Sequence, residues 1–328
     1  MKKTILTALL LLAILFLLPL LVFRQALAGG VTEKEDGKMP EKTADAETTV
    51  RVALASGTVE EMTMEEYLRQ VVAAEMPAAF EKEALCAQAA AARTYTAARM
   101  RSTSARHPDA DVCTDSACCQ AWMSAEEAAE RWGERAGEYE ARIAQAVRDT
   151  DGLVAVYEGE PIRAVFFSSS AGRTLPAVEV WGSEVPYLTG VESPEGEEVP
   201  HYRTEVAVSA DELRESICAG HPEADFSGAP ESWLGKIVPD SAGGVKSMSV
   251  AGVSVSGREM RSLFSLRSTH FTVTEQDGTF LFTVTGYGHG VGMSQYGANA
   301  MAKAGSTWRE ILCRYYTGVE IVPLADLR

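Results

Sequence analysis

One carboxylate stands in an otherwise apolar run near the start of the globular part of this chain. Residues 71–78 read VVAAEMPA, and Glu75 is the only charged residue among them. Moving a carboxylate out of water is costly, and an unpaired buried one raises its pKa instead. Arg93 lies on the next predicted helix. The residues alone therefore leave two interpretations: a structural Glu–Arg ion pair, or a general acid in a pocket without excess positive charge.

A second segment, GYGHGVGMSQYGA at residues 286–298, combines dense glycine with side chains that can hydrogen-bond or stack. Glycine at this density is tolerated chiefly where the backbone must bend or approach a ligand closely. The alternative is a glycine-rich turn with its histidine on the surface. The segment lacks the Gly-Lys-Ser/Thr sequence of a phosphate-binding loop. Its candidate substrate contacts are Tyr287, His289, Ser294, Gln295 and Tyr296.

A third segment, HPDADVCTDSACCQAW, places four soft metal ligands close together: His107, Cys113, Cys118 and Cys119. Zinc favours four-coordinate sites made of histidine and cysteine. Two adjacent cysteines rarely face the same ion, which weakens this indication. Disulfide bonding explains the same residues equally well, because the chain has six cysteines and disulfides form outside the cytoplasm.

The N-terminus predicts where these segments work. Residues 4–23 carry no charge, and a helix of that length spans roughly the 30 Å of a bilayer core. Lys2 and Lys3 place the short end in the cytoplasm and the rest of the chain outside it. We expect residues 1–28 to be a membrane anchor, although ALA at 26–28 resembles a signal-peptidase site and cleavage is the alternative. Residues 29–49 predict a flexible acidic tether.

The rest of the chain, residues 50–328, predicts an α+β fold. Helical patterns with capping boxes at Thr63 and Ser124 dominate residues 50–151. Antiparallel hairpins dominate residues 152–328, one of them turning at Asp277-Gly278. We expect the two parts to form a two-lobed cleft. The formal charge of −16 argues against a nucleic-acid partner.

Six motifs, taken in order, resemble the stage II sporulation protein D family of Gram-positive spore formers. They span about residues 50–318 and read VVAAEMP, EALCAQAAAARTYT, VWGSEVPYLTGVESP, REMRSLFSLRST, GYGHGVGMSQYGANAMA and ILCRYYTG. The resemblance implies a lytic transglycosylase anchored in the mother-cell membrane, facing the septal space and degrading peptide-stripped peptidoglycan strands during engulfment. It also implies two partners: the amidase stage II protein P and the membrane protein stage II protein M.

The resemblance implies roles for individual residues as well. The family's catalytic glutamate falls on Glu75, and a family arginine of the active cleft falls on Arg93. The glycine-rich segment lines the same cleft. Some members bind a structural zinc through a His, Cys, His, Cys set, and this chain carries Cys118 where they have the second histidine. No cofactor is expected for the chemistry itself.

The expected mechanism uses one carboxyl group where ordinary glycosidases use two. Glu75 donates its proton to the oxygen between N-acetylmuramic acid and N-acetylglucosamine. It then removes the proton of the C6 hydroxyl, which closes a 1,6-anhydro ring. Two alternatives stay open: a non-catalytic glycan-binding activator of the amidase, and a structural tether in a septal complex.

Overall fold

A computed structural model describes residues 43–102 and 104–327 of the chain. The predicted membrane anchor, residues 1–28, lies outside these residues. Within the two described ranges, no helix has the length and apolar character needed to cross a membrane.

The described residues form an α+β fold, which confirms the predicted class. Its helices are α1 Ala44–Glu47, α2 Met64–Glu75, α3 Lys82–Met100, α4 Ala125–Trp132, α5 Ala136–Asp149, α6 Ala177–Trp181, α7 Ala210–Gly220, α8 Gly257–Leu263, α9 Gln295–Lys303 and α10 Trp308–Tyr315. Its strands are β1 Thr49–Ala53, β2 Val59–Thr63, β3 Val112–Cys113, β4 Leu153–Tyr157, β5 Glu160–Pro161, β6 Phe166–Phe167, β7 Arg203–Ser209, β8 Leu234–Pro239, β9 Val245–Val250, β10 Val253–Ser256, β11 Phe271–Gln276, β12 Thr279–Thr285, β13 Met293–Ser294 and β14 Glu320–Pro323.

Most strand pairs are antiparallel and come from neighbouring hairpins. The sheets have the orders β2-β1-β3, β14-β4-β5, β10-β9-β8 and β11-β12-β7, and β6 pairs with β13. Only β1–β3 and β6–β13 are parallel among the described pairs. The β6–β13 pair joins two segments far apart in sequence, Phe166 opposite Met293 and Phe167 opposite Ser294, and thereby brings the glycine-rich segment next to the middle of the chain.

Helix α2 ends at Glu75, and interactions between residues near one another in sequence explain both of its ends. It begins at Thr63, whose capping box with Glu66 confirms the sequence prediction. The backbone N–H of Met76 donates to Val72 O and closes the last turn. Pro77 follows and has no N–H with which to continue the helix. Glu75 is therefore the last helical residue, at the end of a helix whose inner face is buried.

Two large hydrophobic cores organise the described residues, and a third, small cluster consists of Ala97, Val154 and Val156. The first lies around the alanine-rich α3 and includes side chains from α2, α5, α9 and α10. The second lies within residues 208–284. The first core combines residues from both sides of residue 152, where the sequence analysis divides the chain into a helical and a β-rich part. The C-terminal helix α10 is amphipathic and buries Ile311, Leu312 and Tyr315 in the first core. The C-terminal part of the chain therefore contributes to the same core as α2 and α3.

Arg93 of α3 is completely buried and fully engaged inside the first core. Its Nη2 lies 2.6 Å from Oδ2 of Asp45, which is itself 2% exposed. Its Nε also donates to the Asp45 carboxylate, and the other guanidinium hydrogen bonds go to the Thr150 hydroxyl and to the carbonyls of Leu153 and Val147.

This placement corrects two sequence-based expectations. Arg93 pairs with Asp45 and not with Glu75, and it does not line a cleft, because its donors all point into the core. The C-terminal end of the predicted tether is folded as well, since residues 43–49 form α1 and the start of β1. Asp45 is buried because a guanidinium inside a core needs a carboxylate partner.

We predict that Arg93→Met lowers the free energy of unfolding by about 3–5 kcal/mol, because it leaves the Asp45 carboxylate buried without its counter-charge. Urea denaturation followed by circular dichroism measures this change. The matched control is Arg214→Met, which removes an exposed pair with Asp211 and should cost less than about 1 kcal/mol. Equal effects of the two substitutions on the free energy of unfolding would contradict a buried ion pair between Arg93 and Asp45.

Candidate functional site

Glu75 lines a cavity of about 610 Å³, within the range of roughly 300–1,000 Å³ typical of ligand sites. One wall consists of the end of α2 and residues 116–121. The facing wall consists of residues 164–168, part of the glycine-rich segment and Arg261 of α8. Glu75 is the only carboxylate among the described residues that line this cavity, and Arg131 and Arg261 are the cations among them.

The Glu75 carboxyl has two polar contacts. Its Oε1 accepts a hydrogen bond from the backbone N–H of Ala121 at 2.6 Å, and its Oε2 lies 3.4 Å from Nε2 of Gln295. Burial raises the pKa of Glu75, and the two hydrogen bonds oppose this rise without reversing it. The acid therefore stays protonated to higher pH than an exposed glutamate. Because Oε1 accepts the short amide hydrogen bond, the acidic proton belongs on Oε2.

A pair of buried amides lies behind Oε2. Gln295 is 5% exposed, and its Nε2 is also 3.4 Å from Oε1 of Gln88, which is completely buried on α3. The Gln88 Nε2 has no hydrogen-bond partner. A primary amide can present either its NH₂ or its oxygen to a neighbour. Gln295 can thus donate to an ionised Glu75 and, after rotating its amide, accept from a protonated one.

The glycine-rich segment packs closely against residues 165–167, as its high glycine content predicts. Gly288 has φ of 126° and Gly292 has φ of 78°. A Cβ on Gly292 would lie 2.1 Å from the Val165 carbonyl oxygen, and one on Gly288 would lie 2.6 Å from Cβ of Phe167. No larger residue fits at either position. The close approach places Gln295, the first residue of α9, against Glu75.

His289 forms part of the cavity wall as a neutral ring. Its Nε2 donates to the Phe166 carbonyl at 3.1 Å, and its Nδ1 accepts from the Val291 N–H at 3.1 Å. Burial, with a smaller contribution from the nearby charge of Arg261, lowers the pKa of His289 to about 4. The ring packs against Phe167 and Trp181. Both nitrogens are occupied, so His289 is a poor candidate for proton transfer and a good apolar surface.

The other predicted contacts divide into two groups. Tyr287 lines the cavity, is 45% exposed and has the guanidinium of Arg267 over its ring at 4.1 Å. Ser294 and Tyr296 do not line it, which corrects the sequence-based expectation for these two residues. Ser294 is completely buried and caps α9 by accepting from the Gly297 N–H. Tyr296 packs edge-on against Phe80, with ring centroids 4.9 Å apart.

A buried carboxylate that the sequence analysis missed holds Ser294 in place. Glu195 is 4% exposed. Its Oε1 accepts from the Ser170 N–H at 2.7 Å and from the Ser294 hydroxyl, and its Oε2 accepts from the Ser193 hydroxyl at 2.5 Å. Ser193 also hydrogen-bonds the Tyr315 hydroxyl. Glu195 thus joins three segments behind the cavity wall. Its position directly after the VESP motif was the only available indication in the sequence.

The predicted metal ligands come together in the loop that follows α3. Ligand atoms of His107, Cys113, Cys118 and Cys119 all lie within 4.8 Å of one another. The His107 Nδ1 hydrogen-bonds the Ala110 carbonyl, which leaves Nε2 facing Cys119 Sγ at 3.3 Å. Metal-binding histidines typically use their second nitrogen in this way. The four residues fit a tetrahedral metal ion, and they could hold one.

The same loop supplies a contact to the acid. Cys119 is two residues before Ala121, whose N–H binds Glu75. The intervening Gln120 is buried, and its amide donates to the Tyr67 hydroxyl at 3.3 Å and to the Thr96 hydroxyl at 3.2 Å. The metal-ligand cluster and the position of the Ala121 N–H therefore depend on one short piece of backbone. All six cysteines are among the described residues, and each is a free thiol in the structure.

The fold and the site define an α+β protein with one partly buried carboxylic acid in an open cavity. The family description "Stage II sporulation protein" (SpoIID) matches residues 55–157. The chain is 38% identical over 269 residues to the stage II sporulation protein D of Bacillus subtilis, covering 81% of this chain and 76% of the relative. Over 266 residues it is 37% identical to the protein of that name from Bacillus amyloliquefaciens, covering 80% and 75%. This chain belongs to the stage II sporulation protein D family.

A more distant relative has a different name. The chain is 28% identical over 305 residues to the amidase enhancer of Bacillus subtilis, which covers 77% of this chain and 40% of that protein.

We predict that Glu75→Gln is more stable than the wild type at neutral pH. In the unfolded chain the carboxyl ionises near its ordinary pKa of 4.5, whereas burial raises the folded-state pKa. An acid with a raised folded-state pKa loses stability as pH rises through these two values. The advantage of the glutamine variant should therefore disappear below pH 4.5.

Urea denaturation across this pH range measures the difference, with Glu140→Gln as control. Glu140 is exposed and pairs with Arg69, so its substitution should change the free energy of unfolding by no more than about 0.5 kcal/mol. A wild type that is more stable than Glu75→Gln at neutral pH would contradict the cost of burying this carboxylate.

Proposed function

We propose that this protein is a lytic transglycosylase of sporulation, which cleaves the bond between N-acetylmuramic acid and N-acetylglucosamine in peptide-stripped glycan. The observation that carries the proposal is the Glu75 carboxyl, whose pKa is raised by burial in a cavity lined by no other described carboxylate. Hydrolytic glycosidases typically use two carboxyl groups. A site with one carboxyl suits a reaction in which the substrate supplies its own nucleophile.

In the first step Glu75 acts as the general acid. The proton on Oε2 passes to the glycosidic oxygen as the bond to C1 of N-acetylmuramic acid breaks. The carboxylate that forms keeps its hydrogen bond from the Ala121 N–H, and Gln295 can donate a second. These two donors stabilise the negative charge at the moment it develops.

In the second step the same group acts as the base. The ionised Oε2 removes the proton of the C6 hydroxyl, and that oxygen attacks C1 to close the 1,6-anhydro ring. Glu75 regains its proton and water adds to neither product. The neutral ring of His289 and the exposed face of Tyr287 are suited to pack against the sugars, since both line the cavity.

Membership of the family supports a proposal for the site of action and the partners. We propose that residues 1–28 anchor the protein in the mother-cell membrane, with the cavity on the septal side. The relative named amidase enhancer supports an amidase as partner, which for this family is stage II protein P, recruited with the membrane protein stage II protein M. The same relative favours a second candidate function: a non-catalytic glycan-binding activator that stimulates the amidase through this cavity.

We predict that Glu75→Gln reduces the release of 1,6-anhydro products from stripped glycan by about 10²–10⁴-fold, the usual contribution of a positioned acid–base group. Mass spectrometry of the products after incubation with purified protein makes the measurement. Glu140→Gln serves as control, because Glu140 is exposed and does not line this cavity.

Three outcomes would contradict the proposed function or the role of Glu75 in it. Products with reducing ends would make the enzyme a hydrolase. Glu75→Gln with most of the wild-type activity would exclude Glu75 as the acid. Binding of stripped glycan without release of any product would favour the activator function.

We also propose that His107, Cys113, Cys118 and Cys119 hold a structural zinc ion, which takes no part in the chemistry. Cysteine in place of a second histidine changes the ligand type and keeps the count at four. The zinc would fix the loop that supplies the Ala121 N–H to Glu75.

We predict that Cys113→Ser lowers the zinc content from about one ion per chain and destabilises the fold. Even a loss of about 1 kcal/mol would lower the melting temperature by about 2–4 °C in a domain of 150–250 residues. Elemental analysis of the reduced protein and thermal melting measure the two effects. Cys218→Ser, outside the ligand cluster, should change neither. Reduced wild-type protein without zinc would favour the disulfide alternative.

A further inference from the structure

Arg261 is a partly buried cation that has no carboxylate partner among the described residues. It lies on α8, and its Nε donates to the Leu266 carbonyl at 3.2 Å. Arg261 lines the same cavity as Glu75, and it also lines a neighbouring cavity. The protein thus places a guanidinium in the cavity without neutralising it.

The cost of burying the Arg261 guanidinium favours an anionic partner from outside the protein. Burying a cation is costly unless an anion accompanies it, and burial indeed lowers the pKa of Arg261. The chain has abundant acid, with 46 aspartates and glutamates against 30 lysines and arginines. The buried Arg93 receives one of these acids, Asp45, as its counter-ion. Glu75 cannot serve Arg261 in this way while it remains protonated.

Resting on the proposed function, we propose that Arg261 binds the free lactyl carboxylate of N-acetylmuramic acid and so determines the preference for peptide-stripped glycan. This carboxylate is the anionic group of the stripped disaccharide repeat. Where a stem peptide is attached, the same carbon is a neutral amide. A guanidinium matches the two oxygens of a carboxylate with two parallel hydrogen bonds and cannot do so with an amide.

The neighbouring arginines are less suited to this role. Arg131 also lines the cavity, but it is exposed on α4, where ion pairs contribute little. Arg267 lies over the ring of Tyr287 at 4.1 Å. Arg258, one turn before Arg261 on α8, donates to the Val180 carbonyl and lines a neighbouring cavity that excludes Glu75. Arg258 therefore provides a matched control from the same helix.

The test compares two forms of the same stripped glycan: one with free lactyl carboxylates, and one in which carbodiimide coupling to ammonia has converted them to amides. With the full-length protein in detergent, we expect kcat/KM for the free acid to exceed that for the amide by roughly ten- to a hundredfold, as for other charge-assisted hydrogen bonds. Arg261→Gln should lower the value for the free acid far more than the value for the amide, so that the two values become nearly equal. Arg261→Lys should restore part of the preference.

Arg258→Gln should retain the wild-type preference. The inference is overturned if Arg261→Gln keeps the preference, or if Arg131→Gln removes it instead. Binding of both glycans to Glu75→Gln, and to Glu75→Gln combined with Arg261→Gln, separates this inference from the proposed function. A preference for the free acid that depends on Arg261 would uphold the inference even if the wild type released no product. Equal affinity of Glu75→Gln for the two glycans would refute it.

Discussion

The site depends on a balance of two opposing effects on one carboxyl group. Burial at the end of α2 raises the pKa of Glu75, and the hydrogen bond from the Ala121 N–H acts in the opposite direction. In the proposed mechanism Glu75 first gives and later takes a proton, and this requires both effects. Without burial it would be ionised before it could act as an acid. Without the amide N–H, the carboxylate left behind would be an unstabilised anion in a poorly solvated place.

Rigid backbone on both sides of the cavity keeps this balance in place. On one side, Gln120 is buried between α2 and α3 and fixes the residue that follows it. On the other side, Gly292 lets the chain pass against the Val165 carbonyl, and the buried Glu195 fixes Ser294 at the start of α9. Buried hydrogen bonds and close backbone packing thus hold the functional atoms in place. Their rigidity is useful because a misplaced donor stabilises the wrong charge distribution.

The sequence predicted the local features and missed those that depend on distant partners. The capping box at Thr63, the close approach at the glycines and the metal-ligand cluster all follow from residues near one another in the chain, and the structure contains them. Arg93 was misplaced because its partner, Asp45, lies in a stretch whose composition is typical of a tether. Ser294 was misplaced because its partner, Glu195, is 99 residues away. Hydrophobic periodicity identifies a helix but does not say which residues across the fold will complete its hydrogen bonds.

The cavity therefore contains two incomplete electrostatic arrangements. Glu75 is a carboxyl whose pKa is raised by burial, and Arg261 is a partly buried cation that pairs with no carboxylate in the part of the chain that the structure describes. Pairing them with each other would satisfy both and would abolish the acid, because a neighbouring guanidinium lowers the pKa of a carboxyl. A substrate that carries its own carboxylate resolves the conflict, since it neutralises Arg261 and leaves Glu75 protonated. In the proposed mechanism, recognition of the stripped glycan and the protonation state of Glu75 therefore depend on the same uncompensated charge of Arg261.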